Sequence, residues 1–497
     1  MHGAYPILSC EEAKAFEADY FGGDEAREWP AMQAAGRGVA RGIREDFAEI
    51  GPWPEAARVL VLAGKGHNAG DALIAATELQ RCRDGVAVDV VFVFGERGLR
   101  PLARRAWADL ETKARVLSPD ARAEWAPGYD VIIDGVFGFQ FRPPLDAAAA
   151  AVLARANATP ARLRAAVDMP SGLGEPPAFR ADFTYATGIV KAPLLELPNA
   201  GRLRFIDLGF PLNGVAHTRH VLGGRVLDPL HGLRAPHGDK RHFGHPLIVA
   251  GSRRYPGAAL MATLAALRGG AGLVTAAVPE TLVPAFAAQV PEAIWLGLPE
   301  TPDGGLALEG LHLVREAFGR ASAVVLGPGM GGERETRTFA QEIARESPRP
   351  LVIDADALQP EIVAAGEAAR ILTPHAGEYA RIAEAIPSGA VVVRKGPITR
   401  IETVGADGRG GEDAGATTYH SFFGGPVLAR GGSGDLLAGL AGTLLAQTPG
   451  DPLGAAARAV VWHGRAADAV ARVHGPTAVR TTQLLDFLPA VLRACGE

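Results

Sequence analysis

The chain has 497 residues, 48% hydrophobic and 21% charged, the make-up of a folded globular protein with room for two or three domains, each with its own core. Its formal net charge of -5, with no block of Lys or Arg, argues against nucleic acid or an anionic membrane as a partner. Cys10, Cys82 and Cys495 lie far apart without a CxxC, which argues against a disulfide framework or structural zinc and fits a reducing cytosol. The N-terminus lacks a basic-then-apolar targeting pattern and no apolar run reaches the ~18 residues of a membrane span, so a cytosolic, membrane-free protein is expected.

Helix-like patterns cover 9–21 and 32–44, the second with small residues (Ala34, Ala35, Gly36, Gly38) that allow close packing. The apolar run 58–63 has the length of a buried strand and leads into Gly64-Lys65-Gly66-His67-Asn68-Ala69-Gly70-Asp71, with a helix predicted over 72–82. Strand, glycine loop and helix make the phosphate-binding turn of a doubly wound α/β fold, although the spacing is neither GxGxxG nor a Walker loop. Alternation continues with a strand over 86–94, a helix over 102–113, and strands over 130–134 and 164–167. Their ends present Asn68 and Asp71, then Asp134, then Asp168 and Ser171, on the edge where open α/β sheets bind ligands. A single Asp there also serves as a turn cap, but three strand ends converging point to a site, and oxygen donors of this kind suit an alkali or alkaline-earth cation better than zinc.

The runs GKGHNAGDA, DGVFGFQFRPPL (134–145) and AVDMPSGL (166–173) resemble the NAD(P)H-hydrate epimerase domain, which typically reads GPGNNGGDG, DALFGTGL and VDIPSG in the same order. The resemblance implies a Rossmann-like three-layer α/β domain over 1–220 that interconverts the R and S epimers of hydrated NADH or NADPH, with bound potassium. Carried over by position, Asn68, Asp134 and Ser171 hold the potassium and Asp168 is the acid/base. His67, Asn68, Ala69, Gly70 and Asp71, with Gly138, Phe139, Gln140, Phe141 and Arg142, contact the dinucleotide. The chain departs at Lys65, His67, Ala69 and Ala72. Each Ala adds a methyl where the family has bare backbone near phosphate, so weaker binding is expected.

From 211 to 244 the chain is rich in Pro, Gly and His without periodicity, and reads as a linker with a domain boundary near 220. His217, His220, His231, His237, His242 and His245 lack metal-ligand spacing and read as solvated linker residues. Beyond it, strands are predicted over 245–250, 272–278, 323–326, 351–354 and 391–396, with a helix from Pro256 to Arg268. A further helix starts at Pro374 with Glu378 in its first turn, and 405–417 reads as a mobile hairpin tip. The stretch Gly431-Gly432-Ser433-Gly434-Asp435 then opens a long apolar, Pro-free segment. Free amides at such a helix start make an anion cradle, and an Asp on its rim suits removal of a proton from a hydroxyl beside a phosphate. Alone, the pattern equally fits a glycine turn with Asp435 at a helix N-terminus.

PGAA (256–259), GPGMG (327–331), DADAL (354–358), TPHAGE (373–378), Lys395-Gly396 and GGSGD (431–435) resemble, in that order, the ADP/ATP-dependent NAD(P)H-hydrate dehydratase of the ribokinase-like superfamily. The resemblance implies a ribokinase-like three-layer α/β domain over 221–497 that removes water from C6 of the S-hydrate, driven by ADP or ATP with magnesium. Gly434 lies in the anion hole and Asp435 is the base. Lys395, Gly396, Pro397, Ile398 and Thr399 line the nucleotide, and Ala258, Gly329 and His375 face the hydrate. The chain departs from the usual NPGMAT at GPVLAR (425–430), placing Arg430 just ahead of the cradle, and from KGDFG at KRHFG (240–244). Relatives of this kind often form homo-oligomers. Alternatives are a ribokinase-like vitamin kinase that releases a phosphoester, and a first domain reduced to a non-catalytic binding module.

Overall fold

A computed structural model of the chain describes residues 1–83, 85–120, 125–139, 141–212, 217–405 and 416–493. Gln140, Cys495 and nearly all of the expected hairpin tip lie outside the described residues. The chain divides into two compact units. The N-terminal unit holds Tyr5–His217 and Ala471–Pro476, and the C-terminal unit holds Met1–Ala4, Thr218–Val470 and Thr477–Glu497.

The N-terminal unit begins β1 (Ala4–Leu8), α1 (Cys10–Phe21), α2 (Glu25–Phe47), β2 (Arg58–Ala63), α3 (His67–Cys82), β3 (Ala87–Phe92), α4 (Pro101–Ala108) and β4 (Ala114–Leu117). It continues through β5 (Tyr129–Gly135), α5 (Ala147–Ala158), β6 (Ala161–Val167), β7 (Phe183–Thr187), β8 (Val190–Lys191) and β9 (Arg202–Ile206). Seven strands form a parallel sheet in the order β4-β3-β2-β5-β6-β7-β9. Both faces are covered, as the unbroken apolar run of β2 requires: Val59, Val61 and Ala63 join one core cluster with α2, α3 and α4, while Leu60 and Leu62 join another with α5. Strand order reverses between β2 and β5, and the crevice beyond their carboxyl ends is where such a sheet takes a ligand.

Two expectations shift here. α2 starts at Glu25, where the Asp24 side chain accepts from the Ala26 amide, and runs through Pro30. α3 begins at His67, so the glycine loop shrinks to Gly64–Gly66 and the residues after it are already helical. The small residues of α2 do allow close packing: a Cβ at Gly36 would stand 2.6 Å from Ile74 Cβ, and one at Gly38 would stand 2.5 Å from Ile206 Cγ2.

The C-terminal unit runs β10 (Arg219–Leu222), β11 (Pro246–Val249), α6 (Pro256–Arg268), β12 (Thr275–Pro279), α7 (Val283–Gln289), β13 (Ile294–Leu298), α8 (Leu311–Phe318), β14 (Ala323–Leu326) and α9 (Arg334–Glu346). It continues with β15 (Leu351–Ile353), α10 (Pro360–Val363), β16 (Arg370–Leu372), α11 (Ala376–Ile382), β17 (Val391–Arg394), β18 (Thr399–Thr403) and β19 (Thr418–Ser421). The last helices are α12 (Ser433–Gln447), α13 (Pro452–His474) and α14 (Leu484–Arg493). The strand order is β13-β12-β11-β14-β15-β16-β17-β18-β19-β10, parallel as far as β17, with β18 antiparallel to both neighbours.

The stretch expected to be an irregular linker contributes β10, which pairs with β19, and a 3-10 turn over Gly224–Leu230. A four-residue strand is too short to show a period. His245 is corrected as well: it is buried, with Nε2 2.8 Å from Thr275 Oγ1, and burial holds its imidazolium form below the usual range. Among the described residues no helix is long and apolar enough to cross a membrane.

One face of this sheet packs on α8 and α9, and the other receives α6 and α12. Glycines on α12 set that approach: a Cβ at Gly439 would lie 2.1 Å from the Ala262 carbonyl oxygen, and one at Gly442 would lie 2.1 Å from Val325 Cγ2 on β14. Gly442→Ala therefore overpacks the helix–sheet seam. We expect a loss of about 1–3 kcal/mol, read as a lower urea midpoint for the C-terminal unit, despite the better helix propensity of Ala.

Candidate active sites

In the N-terminal unit a cavity of about 900 Å³ opens beyond the ends of β2 and β5. His67, Asn68, Asp71, Gly138, Phe139, Phe141, Arg142 and Asp168, all expected at the site, line it. Ala69 and Gly70 do not. Ala69 and Ala72 are fully buried in the core cluster under α2, and Gly70 faces Met32. The expected intrusion of methyls on phosphate-binding backbone is corrected: residues 69 and 72 lie within α3, on its inner face.

Asp168 follows β6 and is 3% exposed. Its φ is +62°, and the Met169 amide donates to the Val167 carbonyl at 2.7 Å, closing a tight turn around it. The Asp168 amide donates to the Tyr185 carbonyl on β7 at 2.9 Å. Its Oδ1 accepts from the Lys191 ammonium at the end of β8, and Lys191 is 1% exposed, while its Oδ2 is buried without a hydrogen-bond partner. Sequence reading missed Lys191, and the available signal was a lysine ending an otherwise apolar two-residue strand.

Around this pair other carboxyls are shifted toward the protonated form. Burial first, then the charges of Asp168 and Glu17, push Asp71 well above the usual carboxylate range. Burial, with Asp168 and Glu28 acting against a pull from Lys191, pushes Glu17 up to about 7. His67 Nε2 lies 3.2 Å from Glu28 Oε2.

Asn68, on the cavity wall, and the buried Asp134 and Ser171 form a second cluster. Asp134 is fully buried and accepts from Ser171 Oγ (2.7 Å), the Ser171 amide (2.8 Å) and the Val136 amide (3.2 Å). Asn68 Nδ2 donates to the Phe137 and Val167 carbonyls at 3.0 and 2.9 Å, leaving its oxygen against Gly138, where a Cβ would lie 2.5 Å from Oδ1. Burial, offset by the Ser171 donors, leaves Asp134 pushed up to about 6. Among the described residues no cluster of three His, Cys, Asp or Glu side chains is arranged to hold a metal.

In the C-terminal unit the ends of β14, β15, β16 and β17 meet the start of α12. Asp354 Oδ1 accepts from Thr373 Oγ1 at 2.7 Å and from Lys395 Nζ at 2.9 Å, and Lys395 is anchored by its amide on the Pro374 carbonyl. Gly327, at φ +121°, passes so close that a Cβ would lie 2.0 Å from the Asp354 carbonyl oxygen. Gly432, at φ +89°, caps α12, which places Gly434 and Asp435 in the first turn. A Cβ at Gly434 would stand 3.3 Å from Lys395 Nζ. Burial, with the Asp354 charge behind it and Lys395 opposing, pushes Asp435 up to about 6. Asp354 had no assigned role in the sequence reading, and it is the hub of this site.

Ala258 and Gly329 come together, since a Cβ at Gly329 would lie 2.7 Å from Ala258 Cβ. His375 is exposed and caps α11, with Nδ1 accepting from the Gly377 and Glu378 amides at 3.0 and 3.2 Å. That helix starts two residues after Pro374. Gly396 and Pro397 are exposed and Ile398 is half-buried on the turn between β17 and β18, and Thr399, also half-buried, opens β18. Arg430 bonds the Val479 and Thr477 carbonyls at 3.1 and 2.5 Å, so its charge ties down a neighbouring loop.

The fold and these two carboxylate centres define a chain of two α/β units, Rossmann-like and then ribokinase-like, each with a site of its own. The family model described as NAD(P)H-hydrate dehydratase matches residues 246–490, and the one described as YjeF-related protein N-terminus matches 30–192. A bifunctional NAD(P)H-hydrate repair enzyme of Gloeobacter violaceus is 35% identical over 98% of both chains, and that of Moorella thermoacetica is 32% identical over 88% of both. The solved ADP/ATP-dependent NAD(P)H-hydrate dehydratase of Bacillus subtilis, co-crystallized with ATP/Mg2+, is 26% identical, covering 52% of this chain and 93% of its own, with a TM-score of 0.44. The chain belongs to the family of bifunctional NAD(P)H-hydrate repair enzymes.

Ser171→Ala removes a hydroxyl donor from a fully buried carboxylate, for an expected cost of about 1–3 kcal/mol to the N-terminal unit. That hydroxyl favours the ionised form. The loss should therefore be larger at about pH 8 than at about pH 5, on either side of the raised Asp134 value, in urea titrations of the variant.

Proposed function

We propose that the chain repairs hydrated nicotinamide cofactors in two steps, with residues 1–220 interconverting the R and S hydrates and residues 221–497 dehydrating the S form. The observation that carries this reading is the pair of carboxylates at strand and helix ends, Asp168 beside a cavity of dinucleotide size and Asp435 beside the Lys395–Asp354 pair. In the second unit Asp435 takes the proton of the C6 hydroxyl, and the freed oxygen attacks the terminal phosphorus of ADP or ATP. AMP or ADP leaves with the bridging oxygen's electrons. Phosphate then departs with the C6–O pair, and loss of the neighbouring C5 proton restores the ring double bond. Free amides around Gly434 and the Lys395 ammonium face the negative charge that builds during transfer. Lys395 through Thr399 hold the nucleotide, and Ala258, Gly329 and His375 hold the hydrate.

The charges of Asp354 and Asp356 both bear on Asp435 beside Lys395, and magnesium arriving on the nucleotide phosphates would need only one or two of these carboxylates to hold it. Bound there, magnesium would neutralise phosphate charge. In the first unit the oxygens of Asn68, Asp134 and Ser171 fit potassium, whose charge would compensate a carboxylate that burial disfavours. Asp168 exchanges the proton needed for epimerisation, with His67, Asp71 and Gly138 to Arg142 along the dinucleotide. We place the protein in the cytosol as a homo-oligomer with small-molecule partners alone; the net charge of -5, without a basic block, supports the last of these.

The test is an R/S mixture of NADH hydrate with ADP or ATP and magnesium, followed at the reduced-nicotinamide absorbance. Full recovery faster than spontaneous epimerisation is expected. Recovery of the S portion alone would leave the first unit without its activity, and no recovery with either nucleotide would overturn the reading. Asp168→Asn should slow epimerisation by about 10²–10⁴-fold while leaving S-hydrate dehydration intact. Because Asp435 must be ionised to act and its carboxyl is raised to about 6, the dehydration kcat should fall as pH drops through that value, approaching tenfold per unit below it.

A further inference from the structure

Three features of the Asp168–Lys191 pair go beyond what holding the fold together requires. A buried ion pair is a poor source of stability, because a well-packed apolar pair of the same volume does as well or better. Where such pairs are structural, their remaining polar atoms are normally satisfied. Here Asp168 Oδ2 is buried with no partner, on a residue that lines the large cavity. The backbone at Asp168 adds a further cost: φ +62° in a non-glycine residue is worth about 1–3 kcal/mol of strain.

The lysine is held as firmly as the carboxylate. It ends β8, which pairs with β1 in the register Leu8↔Lys191, and its ammonium lies 4.8 Å from the ring centroid of Phe139 on the cavity wall. The other ionisable groups acting on Asp168 or its lysine come from separate elements: Asp71 from α3, and Glu17 and Cys10 from α1. Two of these are acids that burial pushes toward the protonated form, so Lys191 is the group that answers the Asp168 charge.

We propose that Lys191 is a positioning residue of the first site: by binding Oδ1 of Asp168 it fixes the carboxylate's rotation and leaves the unpartnered Oδ2 as the oxygen that takes the substrate C6 hydroxyl proton while the C6–N1 bond opens to an aldehyde, N1 keeping the electron pair, and that returns the proton when N1 closes on the other face of that carbon. This rests on the reading of the N-terminal unit as an epimerase. Lys191 itself need not touch the substrate. Its loss would leave the carboxylate free to turn and would remove the fixed geometry on which proton transfer depends.

The experiment uses the full-length chain and R/S NADH hydrate without nucleotide, so that dehydration does not intervene, with the epimers separated by chromatography. Lys191→Met is expected to lower the epimerisation kcat by about 100-fold or more while KM stays within about threefold, because binding is untouched and proton transfer is not. Lys191→Arg should keep at least about ten times the activity of the Met variant, and added ethylammonium should restore Lys191→Ala in a concentration-dependent way. The double variant Lys191→Met/Asp168→Asn should be no slower than Asp168→Asn, since the two residues act as a unit. Lys191→Gln, with its fold checked by near-UV circular dichroism, serves if the Met variant does not accumulate.

A Met or Gln variant with kcat within about threefold of wild type would overturn the proposal, as would a loss that neither arginine nor amine relieves and that adds to the Asp168 defect. A wild-type chain no faster than spontaneous epimerisation would overturn the epimerase reading and this proposal together, a result distinct from either.

Discussion

A carboxylate delivered by a parallel strand into a water-poor place needs an opposite charge or a full set of donors, and both units of this chain are organised around that need. Asp168 at the end of β6 meets Lys191, and Asp354 at the end of β15 meets Lys395. Asp134 has no lysine and is instead surrounded by the hydroxyl and amide of Ser171 and the amide of Val136. Removing one partner from a buried pair costs several kcal/mol, because the other charge is left stranded. Loops and strand ends far apart in sequence are held in register by that penalty, 23 residues apart in one pair and 41 in the other.

The same environment separates the titration of neighbouring acids. Asp71 and Glu17 are driven toward the neutral form beside the Asp168–Lys191 pair, while Asp435 is raised to about 6, close enough to neutrality to be ionised and still basic. Groups of one chemical type thus become fit for different work through burial and neighbours, the usual way one fold runs acid and base chemistry near pH 7. Glycines do the complementary job. Gly434 lets Lys395 stand over the first turn of α12, and Gly442 lets that helix lie directly on β14, which fixes where the turn points.

Much of this was legible in the chain. The strands ending at Ala63, Leu326 and Arg394 are apolar runs bounded by glycine or charge, and a strand buried on both faces leaves that signature whatever surrounds it. The helix after Gly432 was legible for the same reason. Less visible were β10, whose four residues are too few for a period, and the start of α2, where a Pro inside a helix reads as a stop. Ala69 and Ala72 were misread because the loop was drawn too long. Once α3 begins at His67, their methyls fall on its inner face among core side chains.

The sequence by itself determined the two-unit α/β organisation, the family, and the carboxylates at the strand and helix ends, because hydrophobic period and motif order are local properties of the chain. Only the tertiary structure decided which charge answers which. Lys191 and Asp354 carry no motif that names a partner, and their pairings exist because sheet register and a tight turn bring together residues that nothing in their spacing connects. The direction of each titration was likewise decided there, since burial and the field of neighbouring charges belong to the folded site and not to the residue type.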